Sequence, residues 1–221
     1  MLKRFFDILL SGFAILCLSP LLIPVVIILK LTGEHYIFYT QERVGKGGKT
    51  FGLLKFATML KDSPNMGTGD ITTRSDPRVL PFGKFLRKTK INELPQLFNI
   101  LLGDMSIIGP RPLTPRNFDY YSPEIKEGIE KLAPGLSGIG SVIFRDEESI
   151  MARSGMDYTE CYKTRVAPYK GALELWYYKH RNLWVDFMII FLTAWVIVFP
   201  GSDLAYRLFK DLPEKPEWME Q

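Results

Sequence analysis

Two apolar stretches frame the chain. From Ile8 to Leu29 nearly every position is apolar, with Lys3 and Arg4 ahead of the run and Lys30 behind it. That is close to the ~20 residues needed to cross a bilayer. A cleaved leader would have a shorter apolar core and a small-residue cleavage site, whereas this run leads into Lys30-Leu31-Thr32-Gly33-Glu34. Ser19-Pro20 lies inside the run and Pro24 follows. Each proline removes a backbone donor, so a kink or break is predicted there, and a serine before proline can bond a freed carbonyl. Cations at both ends give no preference for sending either end outside. A re-entrant helix-break-helix that dips in and returns satisfies both flanks; a single kinked transmembrane helix is the alternative. The second stretch, Trp184 to Phe199, is interrupted by Asp186 and Thr193 and closed by Pro200-Gly201. It follows Trp176-Tyr177-Tyr178-Lys179-His180-Arg181, an interface signature, and is short for a span. A shallowly embedded or protein-packed helix is predicted, with a second transmembrane helix as the alternative.

Between the stretches the pattern changes period. Tyr36-Ile37-Phe38-Tyr39 suits a strand, and Gln41 to Phe56 reads as a β-hairpin around the basic, glycine-rich tip Lys46-Gly47-Gly48-Lys49. Lys61 to Asp76 is a long polar loop, the length expected of a mobile segment or functional lid. Leu80 to Lys88 sets apolar groups and cations at helical spacing, which fits a helix at a lipid headgroup layer or a soluble core helix with a wet edge. Asn92-Glu93-Leu94-Pro95 reads as a helix start, with Asn92 as N-cap and Pro95 in the first turn. In Gly109-Pro110-Arg111-Pro112 the prolines restrict the arginine on both sides, which suits bidentate phosphate binding. The predicted fold class is α+β, predominantly helical. Three segments are expected: a membrane hairpin over 1–32, a catalytic domain over 33–182, and an apolar interfacial helix with its tail over 183–221.

Composition narrows the function. A net charge of +4 favours an anionic surface or phosphorylated ligand, and is too weak to argue for nucleic acid. Cys17 and Cys161 are far apart and the two histidines, His35 and His180, are isolated. Zinc spacing, a disulfide framework and a histidine-based triad are therefore not indicated, and a reducing compartment fits.

Several ordered motifs carry a resemblance. Lys3-Arg4-Phe5-Phe6-Asp7, Leu18-Ser19-Pro20, Gln41-Glu42-Arg43-Val44-Gly45, Lys55-Phe56-x-Thr58-Met59 and Asp76-Pro77-Arg78 come first. Gly83 to Thr89, Glu93-Leu94-Pro95-Gln96-Leu97, Gly103-Asp104-Met105-Ser106, Gly109-Pro110-Arg111-Pro112 and Pro134-Gly135-Leu136-Ser137-Gly138 follow. In these the chain resembles the small, monotopic phosphoglycosyl transferases, the bacterial sugar transferase family, well over about Leu2 to Arg145 and loosely beyond. The resemblance implies a re-entrant helix broken at Ser19 and Pro20 in the bacterial inner membrane, with the catalytic domain on the cytoplasmic face. It implies transfer of a sugar-1-phosphate from a UDP-sugar to polyprenyl phosphate with release of UMP, aided by Mg2+, as the first membrane step of glycan assembly. Membrane lipids and downstream glycosyltransferases are the expected further partners, with no nucleic acid.

Residue by residue, the resemblance puts Glu93 at magnesium binding or carboxylate chemistry and Asn92 where the reacting phosphorus approaches. Arg87, Arg111 and Arg145 would hold phosphates, Arg78 would join them, and Lys55 would support the site. The chain departs from the family where a nucleophilic aspartate is expected, since that position is Asn92. Ala57 replaces an arginine, and Ser141 and Phe144 replace a glutamine and a glycine. Loss of opposite charges at Asn92 and Ala57 reads as a matched change. Three accounts stay open: another carboxylate acts, Glu93 or one of Asp146-Glu147-Glu148; the carrier phosphate attacks directly; or the protein is a silent substrate-binding or scaffold relative.

Overall fold

In the computed structural model, which describes residues 2–66 and 76–219 apart from the side chains of Pro64 and Glu148, the N-terminal run forms one helix, α1 (Leu2–Leu31). Both Pro20 and Pro24 lie inside it, and helical structure continues through them. Pro20 cannot donate to the carbonyl of Leu16, and Ser19 Oγ supplies that bond at 2.8 Å. Thirty residues rise about 45 Å, beyond the ~30 Å hydrocarbon layer. Among the described residues α1 is the one helix long and apolar enough to cross a membrane, and it leaves Phe13, Leu16, Ile23 and Leu31 exposed.

The chain packs as two compact units, Met1–Gln41 with Gly52–Leu102, and Glu42–Phe51 with Gly103–Gln221. This division cuts across the segments expected at 1–32, 33–182 and 183–221, because α1 packs within the first unit. The expected lid, Lys61 to Asp76, lies largely outside the described residues.

In unit 1, strands β1 (Phe38–Val44) and β2 (Thr50–Phe56) form the predicted hairpin, whose tip belongs to unit 2. Gly47 and Gly48 take φ +74° and +70° at that tip, a conformation suited to glycine. Helix α2 (Pro81–Lys88) presses Gly83 onto the backbone of Thr58, where any Cβ would overlap the carbonyl. Val25 and Leu29 of α1, Phe56 of β2 and Leu86 of α2 form the core. Helix α3 (Gln96–Leu102) is held from both sides. Asn99 bonds the β2 backbone like another peptide group, donating to Gly52 O and accepting from Leu54 N, both at 2.9 Å. Arg4 donates to the last α3 carbonyls, Ile100 O and, at 2.7 Å, Leu101 O.

Unit 2 is built on a second sheet that the hydrophobic pattern did not reveal. Strand β3 (Ser106–Ile108) pairs in parallel with β4 (Gly135–Ser137), in register Ser106 to Gly135 and Ile108 to Ser137. Three residues per strand are too few to show alternation. Helices α4 (Pro115–Phe118) and α5 (Pro123–Glu130) make the crossover, with Thr114 and Ser122 as N-caps and proline at each start. Helices α6 (Ile139–Ile143), α7 (Glu147–Arg153) and α8 (Tyr158–Cys161) lead through a π turn, Tyr162–Val166, into α9 (Ala167–His180). Then come α10 (Leu183–Val198), capped by Asn182, and α11 (Leu204–Leu208).

The polar interruptions of the second apolar stretch point into the protein. Asp186 accepts from Tyr177 OH at 2.6 Å, and Thr193 pairs with Ser137 at 2.8 Å. Helix α10 is therefore packed on one face, with Ile189 and Leu192 fully buried, while Trp184, Phe187, Phe191 and Val198 stay exposed.

Candidate active site

In unit 1 the predicted residues gather around a tight turn rather than a helix start. After α2, Lys90 takes a left-handed backbone, φ +61°, and Ile91–Glu93 makes one 3-10 turn. Helix α3 begins only at Gln96, so Asn92 is not its N-cap. Asn92 is 6% exposed and its Oδ1 has no hydrogen-bond partner among the described residues. A buried acceptor left bare costs about 1–3 kcal/mol, so capping does not account for this side chain. Glu93 is half-buried beside it. Arg87, in the last turn of α2, is half-buried too, and among the described residues its guanidinium meets the Met59 sulfur at 3.7 Å, a weak acceptor. Lys55 is half-buried on β2, just before the buried Phe56-Ala57-Thr58 segment.

Arg78 does something other than expected. Its guanidinium is buried and bonded to Asp76 at 2.6 and 2.9 Å, Ser63 O at 2.8 Å and Met66 O at 2.7 Å. Those contacts tie Asp76 to the Ser63–Asn65 turn, leaving this arginine a structural brace rather than a phosphate ligand. A motif cannot distinguish the two roles, because both need a forked cation.

In unit 2, Arg111 lies where two glycine-rich backbones touch. Gly109 N donates to Ser137 O at 3.0 Å and Gly135 N to Pro110 O at 2.7 Å, and a Cβ at Gly109, Gly135 or Gly138 would overlap the facing main chain. The hairpin tip is strapped to the same loop, with Arg43 donating to Pro112 O at 3.1 Å and Val44 N to Leu113 O at 2.9 Å. Arg111 is half-buried and lines a shallow cleft with Gly45, Phe118, Glu130 and Leu132. Arg145 is exposed, after α6.

Behind the loop sits a polar cluster that the motifs missed. Glu174 of α9 is 1% exposed; its Oε1 accepts the Arg111 N–H at 3.4 Å and its Oε2 is unpartnered. Burial pushes its carboxyl up to about 7, opposed by the Arg111 N–H bond and by the charges of Lys170 and Arg111. Lys170, also buried, pairs with Glu147 and lies 5.3 Å over the ring of Phe144. Among the described residues the buried Ser141 hydroxyl has no hydrogen-bond partner. Burial raises the Tyr162 phenol, Glu147 adds to the rise, and Arg111 and Arg43 oppose it. The signal available in the sequence was Lys170 and Glu174, one turn apart among the apolar and aromatic residues of α9. Of the acidic run proposed as a source of nucleophiles, Glu147 is committed to Lys170 and Asp146 is exposed.

Among the described residues no three His, Cys, Asp or Glu side chains converge. Magnesium needs only one or two carboxylates when substrate phosphates complete its shell. The orphaned Asn92 oxygen next to Glu93 fits that smaller set.

A mostly helical chain with small two-stranded sheets thus carries an N-terminal helix long and apolar enough to cross a membrane, with apolar side chains exposed along it. The family model for bacterial sugar transferases matches residues 1–200. The chain belongs to the bacterial sugar transferase family. It is 34% identical over 219 residues to an uncharacterized sugar transferase of Haemophilus influenzae, covering 93% of this chain and 42% of that one. It is 35% identical over 199 residues to the UDP-N-acetylgalactosamine-undecaprenyl-phosphate N-acetylgalactosaminephosphotransferase of Aeromonas hydrophila, covering 89% and 44%. With the exopolysaccharide production protein ExoY of Sinorhizobium fredii it shares 35% over 205 residues, covering 86% and 83%. The chain thus spans about two-fifths of the length of the first two relatives and most of ExoY.

Proposed function

We propose that this protein is a phosphoglycosyl transferase, moving a sugar-1-phosphate from a UDP-sugar to polyprenyl phosphate and releasing UMP. The observation that carries the reading is the buried, unpartnered Asn92 oxygen beside Glu93, with Arg87 held nearby in sequence by a weak acceptor. Such a group costs stability and is retained where a ligand completes it. The names of the relatives from Aeromonas hydrophila and Salmonella typhimurium, a galactose phosphotransferase acting on undecaprenyl phosphate, support the same chemistry.

Glu93 and the Asn92 oxygen would hold Mg2+, which when bound offsets diphosphate charge. Within unit 1 Arg87 would offer positive charge to phosphate oxygens, and within unit 2 Arg111 and Arg145 would do the same. A neutral amide oxygen is a poor nucleophile and Glu147 is engaged by Lys170, so direct attack is favoured over a covalent enzyme intermediate. In that step a carrier phosphate oxygen bonds to the sugar-bearing phosphorus, the bond from that phosphorus to the bridging oxygen breaks, and UMP departs with the electron pair. Asn92, where the family has aspartate, would orient the reacting phosphate by hydrogen bonding.

Membrane attachment would run through α1, kinked within its helical structure at Ser19-Pro20 so that it enters and leaves one leaflet of the bacterial inner membrane from the cytoplasmic face, with α2 at the headgroup layer. Labelling cysteines at Lys3→Cys and Lys49→Cys in a background lacking Cys17 and Cys161 is expected to mark both from one side; opposite sides would mean a spanning helix. The reaction is tested by incubating the purified protein with Mg2+, polyprenyl phosphate and a panel of UDP-sugars. UMP release with at least one sugar is expected. Nucleotide binding without UMP release across the panel would instead make this protein a substrate-binding scaffold.

A further inference from the structure

We infer that Glu174 is the positioning residue for Arg111, setting the Gly109-Pro110-Arg111-Pro112 loop through its backbone without touching substrate. Three observations support this role. The Arg111 N–H is donated to Glu174 Oε1 at 3.4 Å, linking α9 to that loop's main chain. The carboxyl occupies space that glycines keep open, since a Cβ on Gly140 would come within 2.5 Å of Oε1 and one on Gly138 within 3.8 Å of Oε2. Oε2 is buried without a partner. An apolar side chain would fill the same site without leaving a bare oxygen, so packing alone does not call for a carboxyl here.

The groups facing Glu174 are few. Lys170 lies one turn earlier on α9 and is taken up by Glu147 of α7. Tyr121, ahead of α5, and Tyr162, in the π turn, are held protonated by burial first, with carboxylates adding to the effect. Arg111 itself completes the set. Burial holds the Glu174 carboxyl near 7, so its charge changes within the physiological range. A diphosphate bound at Arg111 would then meet a neutral Glu174 at low pH and a carboxylate at high pH, and like charges oppose each other.

This inference rests on the proposed reading that Arg111 receives a nucleotide diphosphate. The test uses the full chain in detergent with UDP-glucose, UDP-galactose and UDP-N-acetylgalactosamine, whose diphosphates do not titrate near neutrality. Calorimetric affinity is measured at about pH 6 and about pH 8. For wild type, binding should weaken several-fold on going to the higher pH. Glu174→Gln keeps the acceptor and loses the charge, so its affinity should be flat and equal to the low-pH wild-type value. Glu174→Leu loses the acceptor and should bind about tenfold more weakly at both values, the loss of roughly one hydrogen bond. Wild-type pH dependence surviving in E174Q, or wild-type affinity in E174L, would overturn the assignment. If none of the three nucleotides binds wild type, the nucleotide-sugar reading fails, and the positioning role is judged on the unliganded protein. There, amide exchange at Arg111 should be about tenfold faster in E174L than in wild type and E174Q. Equal rates would sink it, and if E174L does not fold, the E174Q profile decides.

Discussion

Asp76 in unit 1 and Glu174 in unit 2 are both carboxyl groups with less than one-twentieth of their surface exposed, at 4% and 1%. They are treated differently. Asp76 has a buried guanidinium, Arg78, at 2.6 Å, and the pair is further bound to two carbonyls. Among the described residues Glu174 accepts a backbone N–H on one oxygen and has no hydrogen-bond partner on the other, and the nearby ammonium of Lys170 is spent on Glu147. Unit 1 thus neutralises its buried carboxylate by pairing, while unit 2 neutralises its own by raising the pKa. A third group, Asn92, avoids the charge problem by being an amide and still leaves an oxygen bare. A fully paired buried charge braces the fold, whereas partly satisfied groups are better candidates for action, because their cost is only met when something binds.

The comparison is broken most severely at the brace. Arg78→Met strands the Asp76 carboxylate and should cost about 3–5 kcal/mol, measured as lost unfolding free energy in denaturant; a smaller loss would mean the pair is hydrated.

Next in size is Glu174→Gln. The carboxyl binds its proton more tightly folded than unfolded, about 7 against 4.5, so wild-type stability is highest below the unfolded value and falls until about pH 7. The substitution should abolish that fall and leave the variant about 3 kcal/mol more stable than wild type at pH 8, with little difference at pH 4. Melting curves across that range decide it.

Asn92 sharpens the contrast by moving stability and activity in opposite directions. Asn92→Leu should gain about 1 kcal/mol by removing the bare acceptor while losing at least about tenfold in UMP release. Asn92→Asp is the mechanistic counterpart. Direct attack predicts no trapped phosphosugar adduct in the present sequence, and faster turnover with an adduct in the variant would show that the covalent route was lost only through the amide. The smallest effect is expected at α1, where Ser19→Ala frees the Leu16 carbonyl and should lower stability by about 0.5–1.5 kcal/mol, seen as a lower Tm in detergent.

Local signals proved readable where one element generates them. The hairpin was visible from its glycine-rich tip, and α2 and α10 from their apolar spacing. The serine that replaces the bond lost at Pro20 was also legible. The parallel pairing of β3 and β4 was not, because its partners are far apart in the chain and each strand is three residues long. Nor was the fate of the arginines. Arg78 and Arg111 each lie in a proline-containing motif, yet one is a buried brace and the other sits over Glu174.

The sequence by itself determined the family and the apolar helix that leads the chain, since periodicity, turn residues and ordered motifs are local properties. Tertiary structure alone decided which polar groups are satisfied. Asn92 left bare, Arg78 consumed and Glu174 poised under Arg111 all depend on atoms brought together from distant positions, and the free energy of a buried polar group is set by its neighbours in space.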